Sequence, residues 1–175
     1  EARVEPAMIP ITHPMSSVND VFNAVYIVGD RVGPNMFYGR GAGSEPTGSA
    51  VVSDIVDIAQ QMASKNTKAS LFCLGFNNKI TIKESNAACV PFYLRFTAQD
   101  RPGVLSKISG ILARYMISIS TVIQKGREEN GYVPIVMLTH EAVEGDIKKA
   151  MEEIDRLPFI RGESIQIRIE EGLVN

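Results

Sequence analysis

Three glycines spaced two apart, in Tyr38-Gly39-Arg40-Gly41-Ala42-Gly43-Ser44-Glu45-Pro46-Thr47, stand between a short apolar run and a long helical pattern. Glycine permits positive φ and close backbone approach, and the helix that follows favours negative charge at its start. Together these are the ingredients of a phosphate cradle. Two such cradles are excluded by the residues themselves. A Walker loop ends in Gly-Lys-Ser/Thr, whereas Gly43 is followed by Ser44-Glu45-Pro46. The dinucleotide fingerprint needs a glycine where Ser44 stands, and the chain before it holds no series of strand–helix units to build a parallel sheet. A strand-to-helix turn is what remains.

The residues on either side define a first block, 1–64. Pro6, Pro10 and Pro14 break the run Ala7–Ile11, which suits an edge or connecting strand. Val21–Gly29 is β-branched and aromatic, Gly29-Asp30-Arg31-Val32-Gly33 has turn chemistry, and Pro34–Tyr38 forms a second strand, so a hairpin is predicted. Val51, Val52, Ile55, Val56, Ile58, Ala59 and Met62 make the apolar face of a helix over 47–63. His13 is expected to cap or pack, and Asn19 and Asp20 to hold a turn. A polar stretch, Ser64–Lys68, ends the helix. Residues 65–90 are expected to be a linker with apolar residues at Leu71, Phe72 and Phe76 and a short strand at 80–82.

Residues 91–175 have a different rhythm. Phe92–Thr97 alternates; Asp100-Arg101-Pro102-Gly103 opens a helix carrying Val104, Leu105, Ile108, Ile111, Leu112 and Tyr115, with Pro102 in its first turn. Ile117–Gln124 is a strand, and Asn130-Gly131 closes a hairpin onto Tyr132–Thr139. Ile147, Ala150, Met151, Ile154 and Leu157 mark a second helix over 143–156, and Ile165, Ile167 and Ile169 a last strand. The order βαββαβ predicts a ferredoxin-like sandwich, an antiparallel sheet with two helices on one face. The whole chain is therefore α+β. The Glu128-Glu129 pair is a solvated hairpin tip, not a metal site.

Composition narrows the function classes. A net charge of −2 gives no footprint for nucleic acid or an anionic membrane, and no apolar run approaches the ~20 residues of a membrane span. Cys73 and Cys89 lack CxxC spacing and have apolar neighbours, so buried free thiols in a reducing, cytoplasmic setting are expected.

The runs His13–Asp20 and Asn23–Val25, then Met36–Gly43, then Pro46–Asp54, resemble the C-terminal portion of homoserine dehydrogenase. In that family the catalytic region is built on a dinucleotide-binding half and a substrate and dimerisation domain, and the chain then returns to the first half. The resemblance places His13–Met36 in the last strands of the substrate domain. It makes the glycine turn and helix the return segment, beside the nicotinamide end of the cofactor. It implies Gly41, Ala42, Gly43, Glu45 and Thr47 as cofactor-proximal residues, with Pro46 between them. Arg40 stands where relatives often have proline. The parent enzyme would interconvert homoserine and aspartate semialdehyde with NAD(P). Its catalytic residues and fingerprint are expected upstream of Glu1, so no catalytic residue is assigned here, and the chain, which opens without Met, is expected to be inactive and to bind no cofactor alone.

The loop Asp100-Arg101-Pro102-Gly103-Val104-Leu105 and the strand start Ile117-Ser118-Ile119-Ser120 resemble ACT regulatory domains. This implies an amino-acid effector, threonine foremost, held near Asp100, Pro102, Gly103, Val104, Leu105 and Ile119, and a homo-oligomer, a dimer, paired through this domain. A stand-alone amino-acid-binding or dimerisation module with no catalytic role is the alternative.

Overall fold

A computed structural model of the chain describes residues 1–63, 81–126 and 131–170. In chain order its elements are β1 (Ala7–Met8), β2 (Phe22–Gly29), β3 (Gly33–Arg40), α1 (Ser44–Ala63), β4 (Cys89–Val90), β5 (Phe92–Gln99), α2 (Val104–Arg114), β6 (Ile119–Gln124), β7 (Tyr132–Thr139), β8 (Ala142–Val143), α3 (Glu144–Asp155) and β9 (Ile165–Ile169). They form two compact units: Glu1–Pro10 with Thr81–Asn175, and Ile11–Ile80. The expected sequence blocks at 1–64, 65–90 and 91–175 divide the chain otherwise. The difference at the start has a direct cause, because β1 pairs in parallel with β9, Ala7 opposite Arg168 and Met8 opposite Ile169.

In the first of these units the sheet order is β1-β9-β5-β7-β6. The order βαββαβ is met by β5-α2-β6-β7-α3-β9, a ferredoxin-like fold whose four strands are antiparallel. The predicted purely antiparallel sheet is corrected by β1, a parallel fifth strand. Alternation decides what each strand buries. On β5, Phe92, Leu94, Phe96 and Ala98 are buried while Arg95 and Thr97 are exposed; on β7, Val133, Ile135, Met137 and Thr139 are buried. Ile108, Ile111 and Leu112 of α2 and Ile147, Ala150 and Ile154 of α3 close the core from the other side. Each of the larger side chains among them contributes about 1.5–3 kcal/mol. The hydroxyl of Thr139 is accommodated there by accepting from the Phe92 N–H at 2.9 Å. Pro134 lies one residue past the last β6 pair, where its missing donor breaks no ladder bond to that neighbour.

Several expectations are corrected in this unit. Leu105, expected on the buried face of α2, is 41% exposed. Pro102 lies in the turn before α2 because Gly103, at φ +89°, is the N-cap. The isoleucines of β9 do not form its inward face. Register sets Gln166 against Leu94 and Arg168 against Phe92, which turns Ile165 and Ile167 to the outer face with Arg95 and Tyr93. Thr81 and Ile82 are irregular, with no strand partner, and Ile80 lies outside the described residues. Cys89 is a free thiol but exposed, since β4 pairs only with the short β8 and no layer covers it. Cys73, Leu71, Phe72, Phe76, Ser64–Lys68 and Glu128-Glu129 also lie outside the described residues.

The other unit is the predicted hairpin followed by a helix. β2 and β3 pair antiparallel from Phe22↔Arg40 to Gly29↔Gly33. Asn19 and Asp20 form the expected turn, with Asp20 at φ +58° and the Asn19 carbonyl accepting from the Phe22 N–H at 3.2 Å. Residues 44–63 are helical, three residues longer at the start than predicted. No residue of α1 is buried, and Ile55 is 60% exposed. A two-stranded hairpin carries too little apolar surface to cover it.

Candidate functional site

Gly41, Ala42, Gly43, Glu45 and Thr47 lie together at the start of α1, and all are exposed. The Gly41 N–H donates to the Val21 carbonyl at 3.0 Å, which ties the turn to the start of β2. A Cβ on Gly41 would fall 1.7 Å from Asn23 Nδ2, so any larger residue there would have to turn the Asn23 side chain aside. The Gly43 carbonyl accepts from the Thr47 N–H at 3.1 Å and begins the helix ladder. Beside the turn lies an open cavity of about 280 Å³ lined by Asn23, Val25, Phe37, Tyr38, Arg40 and Gly41, among others. Of the candidates, Gly41 alone lines it. One lining residue, Tyr38, belongs to a stack that the sequence did not announce. Phe22 and Tyr38 lie 4.8 Å apart and nearly parallel, with the Arg40 guanidinium 5.8 Å from the Phe22 ring.

His13 does what was expected of it. Its Nδ1 accepts from the Met15 N–H at 3.2 Å, capping a short 3₁₀ turn, and its ring meets Tyr26 edge-on at 4.6 Å. It is 2% exposed.

Asp100, Pro102 and Gly103 lie in the loop between β5 and α2, and Val104 and Leu105 are the first two residues of α2. Asp100 is anchored twice: its N–H donates to the Gly131 carbonyl at 2.9 Å, and its Oδ1 accepts from Gln124 Nε2 at 3.2 Å. Nothing lies within 4 Å of a Cβ on Gly103, so the positive φ alone calls for glycine. Val104 is buried beneath the loop, whereas Pro102, Gly103 and Leu105 are exposed. Ile119 is elsewhere in the chain. It pairs with Thr139 at the Phe92 end of the sheet, while Gln124 is the β6 residue beside the loop. Sequence reasoning also missed the cations around the loop. Arg101 and Lys107 sit 5.7 and 5.5 Å from the Phe159 ring, and Arg161 sits 5.5 Å from the Tyr132 ring.

A third constellation, unforeseen from sequence, gathers around β1. Arg3 pairs with Glu1 and Glu5, both at 3.1 Å, and with the buried Glu144, and donates to the Ser85 carbonyl at 2.7 Å. Arg168 pairs with Glu1 at 3.0 Å, Glu5 at 3.2 Å and Glu170 at 2.6 Å. Lys148 reaches Glu144 at 2.8 Å. Burial by itself would raise the Glu144 carboxyl, but the hydrogen bonds from Lys148 and Arg3 outweigh it and hold the group below its ordinary value of 4.5. Glu1 is lowered too, chiefly by its hydrogen bond from Arg168. The only sequence signal was a charge, Arg168, at an inward register position among isoleucines. Among the described residues no group of three His, Cys, Asp or Glu is placed to hold a metal ion, and no helix is long and apolar enough to cross a membrane.

Residues 1–56 match the family model described as homoserine dehydrogenase, and residues 92–159 match the ACT domain model. The chain is 38% identical to the homoserine dehydrogenase of Pseudomonas aeruginosa over 98% of its own length and 40% of that relative. It is 38% identical to the enzyme of Neisseria gonorrhoeae, over 97% of this chain and 40% of the relative. The crystal structure of a homoserine dehydrogenase from Thiobacillus denitrificans superposes with a TM-score of 0.77 at 37% identity, over 95% of this chain and 38% of that one. The chain thus spans about two-fifths of the length of the relatives it matches.

Proposed function

With residues 1–56 carrying homoserine dehydrogenase sequence and residues 92–159 an ACT domain, we propose that this chain is the regulatory end of a homoserine dehydrogenase. The parent reaction is NAD(P)-dependent interconversion of homoserine and aspartate semialdehyde, in the route to threonine, methionine and isoleucine. The cofactor accepts or delivers the hydride when bound. The residues present fit only the margin of its site: the turn Gly41–Gly43 offers exposed backbone and the first amides of α1, but no phosphate-gripping fingerprint. Gly41, Ala42, Gly43, Glu45 and Thr47 would shape that margin, and the open apolar faces of α1 and of Val25, Ile27 and Phe37 would be covered by the rest of the enzyme. The chain alone is therefore inactive. NADPH oxidation with aspartate semialdehyde by the 175 residues should stay at background, and measurable turnover overturns this reading.

The observation that carries the regulatory role is the Asp100–Leu105 loop: an αL glycine cap, an open approach and the amide end of α2, on an ACT fold. These amides suit a carboxylate, and we assign an amino-acid effector, threonine first, to this loop. Ile119 lies at the far end of the sheet in its own chain, so its part in the site requires a second subunit. β1 closes the β9 edge, which leaves β6 as the open sheet edge among the described residues and the favoured pairing surface of a homodimer. Calorimetric titration of the chain with threonine, methionine and isoleucine tests the loop. Heat with one of them and its loss on Gly103→Val supports the reading. Three flat traces favour the alternative, a purely oligomerising ACT module.

A further inference from the structure

We propose that Glu1–Pro10 is an ion-locked clasp: a segment that belongs by sequence to the dehydrogenase-related stretch but docks as an extra strand on the sheet of the ACT-containing unit, fastened by Glu144 and Arg168, which are buried with the segment in place. The first support is the mismatch between sequence and space. The dehydrogenase match covers residues 1–56, yet the first ten of them group with the ACT-containing unit. Pro10 leads directly to Ile11, the first residue of the other unit, with no linker between.

The second support is the receiving surface. Arg168 occupies an inward position opposite Phe92 and is 6% exposed; Glu144, in the first turn of α3, is 4% exposed. A buried charge without a partner is strongly unfavourable. Within residues 81–170, Glu144 has Lys148 and Arg168 has Glu170. The remaining counter-charges arrive on the clasp: Arg3 for Glu144, and Glu1 and Glu5 for Arg168. Two inward charges on one edge of a small core make sense when that edge is a seat.

The third support is how little else holds the segment. The strand is only Ala7–Met8, bracketed by Pro6 and Pro10, which have no N–H to extend the ladder. Before it the clasp parts from β9 and leaves a cavity of about 310 Å³ lined by Glu5, Pro6, Phe92, Glu144, Gln166 and Arg168, among others. Ladder bonds such as Glu170 N–H to the Met8 carbonyl, at 2.8 Å, end the contact. The lock is therefore ionic, and it opens without unfolding the sheet. This holds whether or not the domain binds an amino acid.

Hydrogen exchange and limited proteolysis of the whole chain test it. In Arg3→Ala the Glu170 amide should exchange at least tenfold faster and the segment 1–13 should become the first site of thermolysin cleavage, while the amides of Phe96 and Ile135 keep their protection. Glu5→Gln, a change at a half-exposed carboxylate that leaves the core intact, should give the same pattern at a smaller amplitude. Unchanged Glu170 exchange and cleavage in both variants would show that the ions are not the lock. Loss of protection at Phe96 and Ile135 in step with Glu170 would make the segment an inseparable part of the domain. Either result overturns the proposal.

Discussion

The two units contain the same kinds of residue in the same kinds of pattern, yet they use them oppositely. The ACT-containing unit turns its alternating strands and amphipathic helices into a continuous core from Phe92 to Phe159. In the other unit His13 is the only buried residue among those described, although α1 also carries a broad set of apolar residues, less sharply segregated to one face than those of α2 or α3. Periodicity states that a face will be covered; it does not say by what. In the βαββαβ unit each face meets another element of the same chain. In the hairpin–helix unit no described residue is buried against α1, and the chain spans about two-fifths of the relatives it matches.

The sharpest way to break this comparison is a pair of truncations. Phe96→Ala, which empties a fully buried site, should cost about 3–5 kcal/mol and lower the thermal midpoint of the ACT unit, whereas Ile55→Ala on α1 should stay within about 0.5 kcal/mol. Equal losses would mean that α1 is packed after all. Next in size is Glu144→Leu, which removes the buried partner of Arg3 but leaves it Glu1, Glu5 and the Ser85 carbonyl, and should cost about 1.5 kcal/mol by chemical denaturation.

Acid titration probes the same cluster more gently. The Glu144 carboxyl is held below 4.5, with Arg3 and Lys148 as its cations and Glu5 and Arg168 beside it. A depressed carboxyl stabilises fully above its unfolded value and loses that contribution as pH falls through the lower, folded value. The thermal midpoint should therefore drop below about pH 4.5, and Glu144→Gln should flatten that drop. A midpoint that falls equally in the variant removes Glu144 as the cause. A modest effect is expected of Gly103→Ala, about 1 kcal/mol from backbone strain alone, because nothing lies within 4 Å of the added Cβ.

Much of this was legible along the chain. Tyr132–Thr139 is the strand its alternation predicts, and Phe92–Gln99 needed only two residues more. The hairpin and α1 were also expected from turn chemistry and period. The regions that were not legible share a cause. β1 is two residues long and finds its partner about 160 residues later, and no local pattern encodes such a pairing. Arg168 looked like the polar side of an isoleucine strand; its burial follows from register with Phe92 and from carboxylates at the other end of the chain. Cys89 had apolar neighbours in sequence but no covering layer in space.

At the candidate sites the same division holds. The Asp100–Leu105 loop was identifiable because a proline, a glycine and the start of an apolar period are neighbours. Its surroundings, Gln124 at Asp100 and the cations on Phe159, come from elements apart in sequence. The sequence by itself determined which stretches become strand, helix and turn, and the two families they resemble, because those depend on φ preferences and periodicity within a few residues. Tertiary structure alone decided that the first ten residues belong to the far end of the chain, that Glu144 and Arg168 are buried and paired with them there, and that no described residue buries the helix after the glycine turn. Each of these depends on which distant surface is available to bury a group, and that is a property of the assembled molecule.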